Sequence, residues 1–119
     1  MESDQLGINQ SRSFLDLRGC PRFKLDVEIR IHSHSSGPLT GYTIDISESG
    51  IAAILKMEVS VDQLVQLEFT LPEGTVEVEA LVRQRRAFRY GFQFVEQGPA
   101  RELIARACRR FSIERMLSR

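Results

Sequence analysis

The feature that most limits what this chain can become is a strict two-residue alternation of apolar and polar side chains, repeated over several short stretches. From Lys24 to His32, Leu25, Val27, Ile29 and Ile31 fall on one side, and Lys24, Asp26, Glu28, Arg30 and His32 on the other. Successive side chains of a strand point to opposite faces, so the pattern predicts a strand with one buried face. The alternation returns at Val65, Leu67, Phe69 and Leu71, at Val76, Val78, Ala80 and Val82, and at Tyr90, Phe92 and Phe94. In the last of these, Arg89, Gly91 and Gln93 take the outward positions. Pro72-Glu73-Gly74-Thr75 supplies hairpin turn chemistry, and Arg85-Arg86-Ala87-Phe88 a tight connection to the last strand.

Two further strands are expected between these, after a Ser-, Gly- and Pro-containing loop over Ser33 to Thr40. Tyr42, Ile44 and Ile46 are expected to point inward, which leaves Thr43, Asp45 and Ser47 on the outer face of the sheet. Ile51 to Leu55 is apolar on both sides and calls for a covering element. Gly98-Pro99 then ends strand character. Ala100, Leu103, Ile104, Ala107, Cys108 and Phe111 recur at helical spacing, with Arg101, Arg106, Arg109 and Arg110 on the other side. The helix is the expected cover for Ile51 to Leu55. About six strands followed by one amphipathic helix predict an all-β fold, a small antiparallel barrel with a C-terminal helix packed on it.

At 119 residues and 42% hydrophobic content the chain fits one domain. Residues 1–17 are polar, with scattered Leu6, Ile8, Phe14 and Leu15 in no period, and are expected to form a mobile arm ahead of a barrel and helix over 18–119. Sixteen basic side chains balance sixteen acidic ones, so no overall field recruits nucleic acid or an anionic membrane, and any anion site must be local. The apolar runs are too short to span a bilayer and the N-terminus lacks a secretion signal, which predicts a cytoplasmic protein. Cys20 and Cys108 are then expected as free thiols. His32 and His34, separated by one serine, make no metal site, and neither a metal nor a cofactor is expected. No nucleophile has a plausible base, no glycine-rich loop cradles phosphate, and no carboxylates are paired, so catalysis is not expected.

Two polar elements stand out against the strands: Arg18-Gly19-Cys20-Pro21-Arg22, where the arm meets the first strand, and Asp45-Ile46-Ser47-Glu48-Ser49-Gly50, where an alternating strand runs out. An arginine fork can bond the O6 and N7 edge of guanine or straddle phosphate oxygens, and its flat face can stack on a purine. A carboxylate complements the remaining edge of guanine, where the ring N–H and exocyclic amine both donate. Asp45 suits that edge, Ser47 adds a hydroxyl, and Gly50 permits a turn or a close approach. Together the two elements point to one anionic, guanine-bearing ligand held between an arginine loop and an acidic rim.

In this order and spacing, the sequence resembles the PilZ domain family, whose signature is Arg-x-x-x-Arg followed by Asp-or-Asn-x-Ser-x-x-Gly. The matches are Arg18 and Arg22, then Asp45, Ser47 and Gly50; Leu71-Pro72, the strand Gly91-Phe92-Gln93-Phe94 and the closing helix also sit where the family has them. The resemblance implies a six-stranded antiparallel barrel with a C-terminal helix that binds cyclic di-GMP on its outer surface, commonly as an intercalated pair. It further implies that Arg18 and Arg22 hold guanine and phosphate while Asp45 and Ser47 contact guanine, the arginine loop becoming ordered on binding and the altered surface being read by a protein partner. Gly19 departs from the family, many of whose members carry a further arginine there; it removes one donor and loosens the loop. Two other readings stay open: a PilZ-like barrel that binds a protein and no nucleotide, and a small RNA-binding barrel. The latter needs stacking aromatics outside, whereas Tyr42, Phe69, Phe92 and Phe94 mostly share the inward parity.

Overall fold

The computed structural model describes residues 20–34 and 37–118. The expected arm and Arg18 lie outside the described residues. Seven strands and one helix follow: β1 Phe23–Lys24, β2 Glu28–His32, β3 Leu39–Ile46, β4 Gly50–Leu55, β5 Leu64–Leu71, β6 Gly74–Arg86, β7 Arg89–Phe94 and α1 Pro99–Leu117. All pairings are antiparallel, and β2, β5, β6, β7, β4 and β3 form a closed ring because β4 pairs with both β7 and β3 and β3 returns to β2. The fold is therefore a six-stranded antiparallel barrel with one extra strand, β1, on β3, and one C-terminal helix. Closure leaves none of the six barrel strands with an unpaired edge.

The alternating apolar sets fill the barrel. Ile29, Ile31, Leu67, Phe69, Val76, Val78, Val82, Tyr90 and Phe92 are buried in one cluster, and the Tyr90 hydroxyl accepts a hydrogen bond from the Val59 amide (3.2 Å). β5 and β6 meet at Leu71 and Gly74 across a two-residue turn, with Gly74 at φ 147 where a side chain is strained. β6 continues past Val82 to Arg86, farther than the alternation indicated, because its last residues Arg83 to Arg86 are exposed and carry no apolar signal.

Three details depart from the expected pattern. The strand anticipated over Lys24 to His32 is broken at Leu25 to Val27, where the Thr43 hydroxyl donates to the Leu25 carbonyl (2.7 Å) and accepts from the Val27 amide (2.9 Å). Opposite that break, β3 carries a bulge: Thr43 pairs with Ala53 and Asp45 with Ala52, so Ile44 is a surplus residue. The bulge inverts the faces along β3. Thr43 is buried rather than outward, and Tyr42, expected inside, is 59% exposed. Beyond the bulge Ile46 is buried and Asp45 faces out.

The helix also lies elsewhere than expected. Ile104, Ala107 and Cys108 are buried and Ala100, Leu103 and Phe111 pack against the core, as their spacing predicts, but the helix rests chiefly on β6 and β1. β4 reads as apolar on both sides for another reason: Ile51, Ala53 and Leu55 enter the core, while the outer positions hold Gly50, Ala52 and a half-exposed Ile54. Arg110 ties the helix to the β5–β6 turn, its Nε and Nη2 donating to Glu73 at 2.6 and 3.1 Å, and this hydrogen-bonded guanidinium holds the Glu73 carboxyl below its ordinary range. Cys20 and Cys108 are free thiols, and burial pushes Cys108 up to about 11, so it stays protonated at neutral pH. Among the described residues no helix is long and apolar enough to cross a membrane, and no group of three or more side chains could hold a metal ion.

Candidate functional site

Arg22 and Asp45, 23 positions apart, meet on the outer wall of the barrel. β1 brings them together: Lys24 pairs with Asp45 and Phe23 with Ile46, which sets Arg22 beside the end of β3. Arg22 Nε and Nη2 both donate to Asp45 Oδ1, at 3.0 and 2.6 Å. The pair is partly open to water, the two side chains being 42% and 21% exposed. Asp45 Oδ2 makes no hydrogen bond among the described residues, and Arg89 Nη2 stands 3.9 Å from it. Thus one carboxylate oxygen is engaged by Arg22 while the other has the Arg89 guanidinium nearby.

The floor beside this pair is set by strand register. Asp45 pairs with Ala52, Ala52 with Gly91, and Gly91 with Gln84, so these four form one outward-facing row across β3, β4, β7 and β6. Residues directly opposite each other in a sheet share a face. The middle two carry a methyl group and a hydrogen, and with Ala52 only 5% exposed this small-residue strip between Asp45 and Gln84 is largely covered. The neighbouring row is Tyr42, Ile54, Arg89 and Arg86, all four exposed. Once the side chains that cover Ala52 swing aside, a flat aromatic ring can lie on such a strip with its polar edge toward Asp45.

Ser47 does not share this face with Asp45, contrary to the parity expectation. It is completely buried. Its hydroxyl accepts from the Ser49 and Gly50 amides, both at 3.2 Å, and its own amide donates to the Gly50 carbonyl (2.8 Å). β3 ends at Ile46, so alternation no longer governs the next residue; a serine side chain can bond local backbone, and here it closes the turn. Gly50 is buried too and does not adopt a left-handed φ. What requires glycine is the Phe92 carbonyl of β7, which occupies the space a Cβ at residue 50 would take. The turn is further held by Arg101 of the helix, whose Nη2 donates to the Glu48 carbonyl (3.2 Å).

The structure therefore brings together Arg22 and Asp45 on the surface and places Ser47 and Gly50 beneath them as the frame of the turn. Alternation alone sets Arg89 and Gly91 on the outer face but gives no sign of their place beside Asp45, since the pairing of β4 with β7 is a long-range fact without a local signature. Tyr42 escapes the sequence pattern for a different reason, the bulge at Ile44.

A PilZ domain model matches residues 16–110. The chain belongs to the PilZ family. PilZ domains are non-catalytic receptor modules for cyclic di-GMP. Solved structures agree on the fold. The PilZ domain of CeSA from a cellulose-synthesizing bacterium superposes with a TM-score of 0.64 at 18% identity, covering 79% of this chain and 98% of that one. The PilZ domain of YcgR from Escherichia coli, solved with c-di-GMP, gives 0.67 at 15% identity over 83% of this chain and 94% of that one. The MrkH–c-di-GMP complex of K. pneumonia gives 0.69 at 18% identity, covering 84% of this chain and 54% of MrkH. A search of curated protein sequences returns no match.

Proposed function

We propose that this PilZ domain is a cyclic di-GMP receptor, and that the ligand binds on the outer wall over Ala52 and Gly91. The observation that carries the reading is the meeting of Arg22 and Asp45 on the outer wall, beside the small side chains of Ala52 and Gly91. Asp45 takes the donor edge of a guanine through its two oxygens, and Arg22 turns from Asp45 to the guanine acceptor edge or a phosphate. Arg18 supplies a second fork from the arginine loop, which becomes ordered over the ligand and alters the surface a protein partner meets. Arg89, on the row beside Asp45, adds a cation for a phosphate. Ser47 and Gly50 serve the ligand by holding Asp45 at the end of β3. The cytoplasm, where a cyclic dinucleotide messenger is available, is the matching location.

Titration calorimetry of the whole chain with cyclic di-GMP is the direct test. Binding at micromolar concentration or tighter is expected, and no heat at millimolar ligand would end the proposal. The wall itself has a separate test in Gly91→Leu. A Cβ at residue 91 meets only Gln84 side-chain atoms, at 3.6 and 3.8 Å, which is ordinary contact. The backbone there thus has room for a side chain, so the variant should fold, with thermal unfolding as the control, and its side chain over the strip should weaken binding at least roughly thirtyfold. Unimpaired binding would move the ligand off this wall.

A further inference from the structure

Arg22 has a short tether. β1 is two residues long, and the backbone just before it is gripped from the far end of the chain: Arg115 Nη2 donates to the Arg22 carbonyl at 2.7 Å. The same guanidinium lies 4.3 Å from the centre of the Phe23 ring. Phe23 in turn stacks on Phe111 of the helix, with ring centres 5.6 Å apart and planes 24° from parallel. Arg110 closes the series, 4.5 Å from the Phe111 ring and bonded to Glu73 on the β5–β6 turn. The order is cation, ring, ring, cation, with each guanidinium near a ring whose π-face attracts it. It runs from the barrel through α1 to the backbone of the arginine that faces Asp45.

From this geometry we infer that Arg115, in the last turn of α1, is a positioning residue for the ligand site: it fixes the Arg22 backbone so that the side chain alone moves on binding. The inference rests on the cyclic dinucleotide reading above. In the structure the Arg22 side chain is spent on Asp45 Oδ1, so a guanine that takes this oxygen must displace it. A guanidinium displaced from a tethered backbone stays within reach of the ligand. If the backbone moves as well, binding must order the segment again, and ordering a freed residue is unfavourable. Arg115 reaches neither Asp45 nor the strip over Ala52 and Gly91 through any hydrogen bond or ion pair among the described residues, so its effect on the ligand runs through Arg22.

The test compares the wild-type chain with Arg115→Ala and Arg115→Lys by calorimetry with cyclic di-GMP, and follows amide exchange in each. Arg115→Ala should bind about tenfold more weakly, with the loss in the entropic part of the binding free energy. The Leu25 amide, which donates to the Ile44 carbonyl at 3.1 Å next to β1, should exchange faster while the amides of β5 and β6 keep their protection. Arg115→Lys retains a cationic donor for the carbonyl and the ring, and should recover most of the affinity. Wild-type affinity in Arg115→Ala overturns the inference, as does faster exchange spread evenly over β5 and β6, which marks a general loss of stability, or a lysine variant as weak as the alanine one. A wild type that binds no ligand defeats the receptor reading itself, a result distinguishable from all of these.

Discussion

Asp45→Ala is expected to lower affinity for cyclic di-GMP by at least roughly a hundredfold and to leave the barrel folded. Each charge-assisted hydrogen bond to a carboxylate contributes about 1.5 to 3 kcal/mol, and the guanine edge presents two donors to this one. The substitution removes both acceptors and leaves the donors facing a methyl group. The cost to folding is small, because the Arg22–Asp45 pair is exposed and such pairs contribute about 1 kcal/mol or less. An asparagine side chain keeps one acceptor and turns its amide toward the second donor, so Asp45→Asn should fall between alanine and wild type. Calorimetry of the two variants, with thermal unfolding as the control, checks both statements. Equal affinities for Asp45→Ala and wild type would remove this carboxylate from the site.

Gly50→Ala should show the reverse: a damaged fold. The added Cβ collides with the Phe92 carbonyl, and both partners are backbone within a paired ladder, so neither can rotate away. Overpacking of this kind costs about 1 to 3 kcal/mol. In a domain of about 100 residues that lowers the melting temperature by roughly 5 to 20 °C. Binding should weaken only as far as the turn that holds Asp45 is disturbed. Unchanged melting would mean that β4 and β7 separate there without penalty. The contrast matters because Asp45 and Gly50 belong to one short motif yet do different work, one through a charge at the surface and the other through an absent side chain within.

Most of the fold was legible because it rests on periods that the sequence displays directly. The inward sets of β5, β6 and β7 and the apolar side of α1 follow from spacing alone. Closure of the barrel did not follow from spacing, since the return of β4 to both β3 and β7 joins residues far apart in the chain, Ile51 with Phe92 for one. The candidate site divides in the same way. The local motifs named Arg22 and Asp45, and the fold sets them in contact. The strip over Ala52 and Gly91, the nearby Arg89 and the grip of Arg115 on Arg22 each depend on which strands and helix end up adjacent. Ser47 misled for a local reason. A serine at the end of a strand has two uses for its hydroxyl, outward to a ligand or back to its own chain, and alternation cannot distinguish them once the ladder has stopped.

The surplus residue at Ile44 has an evolutionary edge to it. Upstream of it odd-numbered positions look into the core, and downstream even-numbered ones do, so at this chain length the carboxylate keeps its view of the solvent only while Ile44 stays bulged out of the ladder. Pulling Ile44 into the ladder at constant chain length would ask the strand either to swallow an acid or to expel Ile46, whereas deleting Ile44 itself leaves Thr43 inward, Asp45 outward and Ile46 inward in a regular ladder. Relatives of this chain should therefore either carry the bulge or lack the residue, and in both cases keep the acid outward.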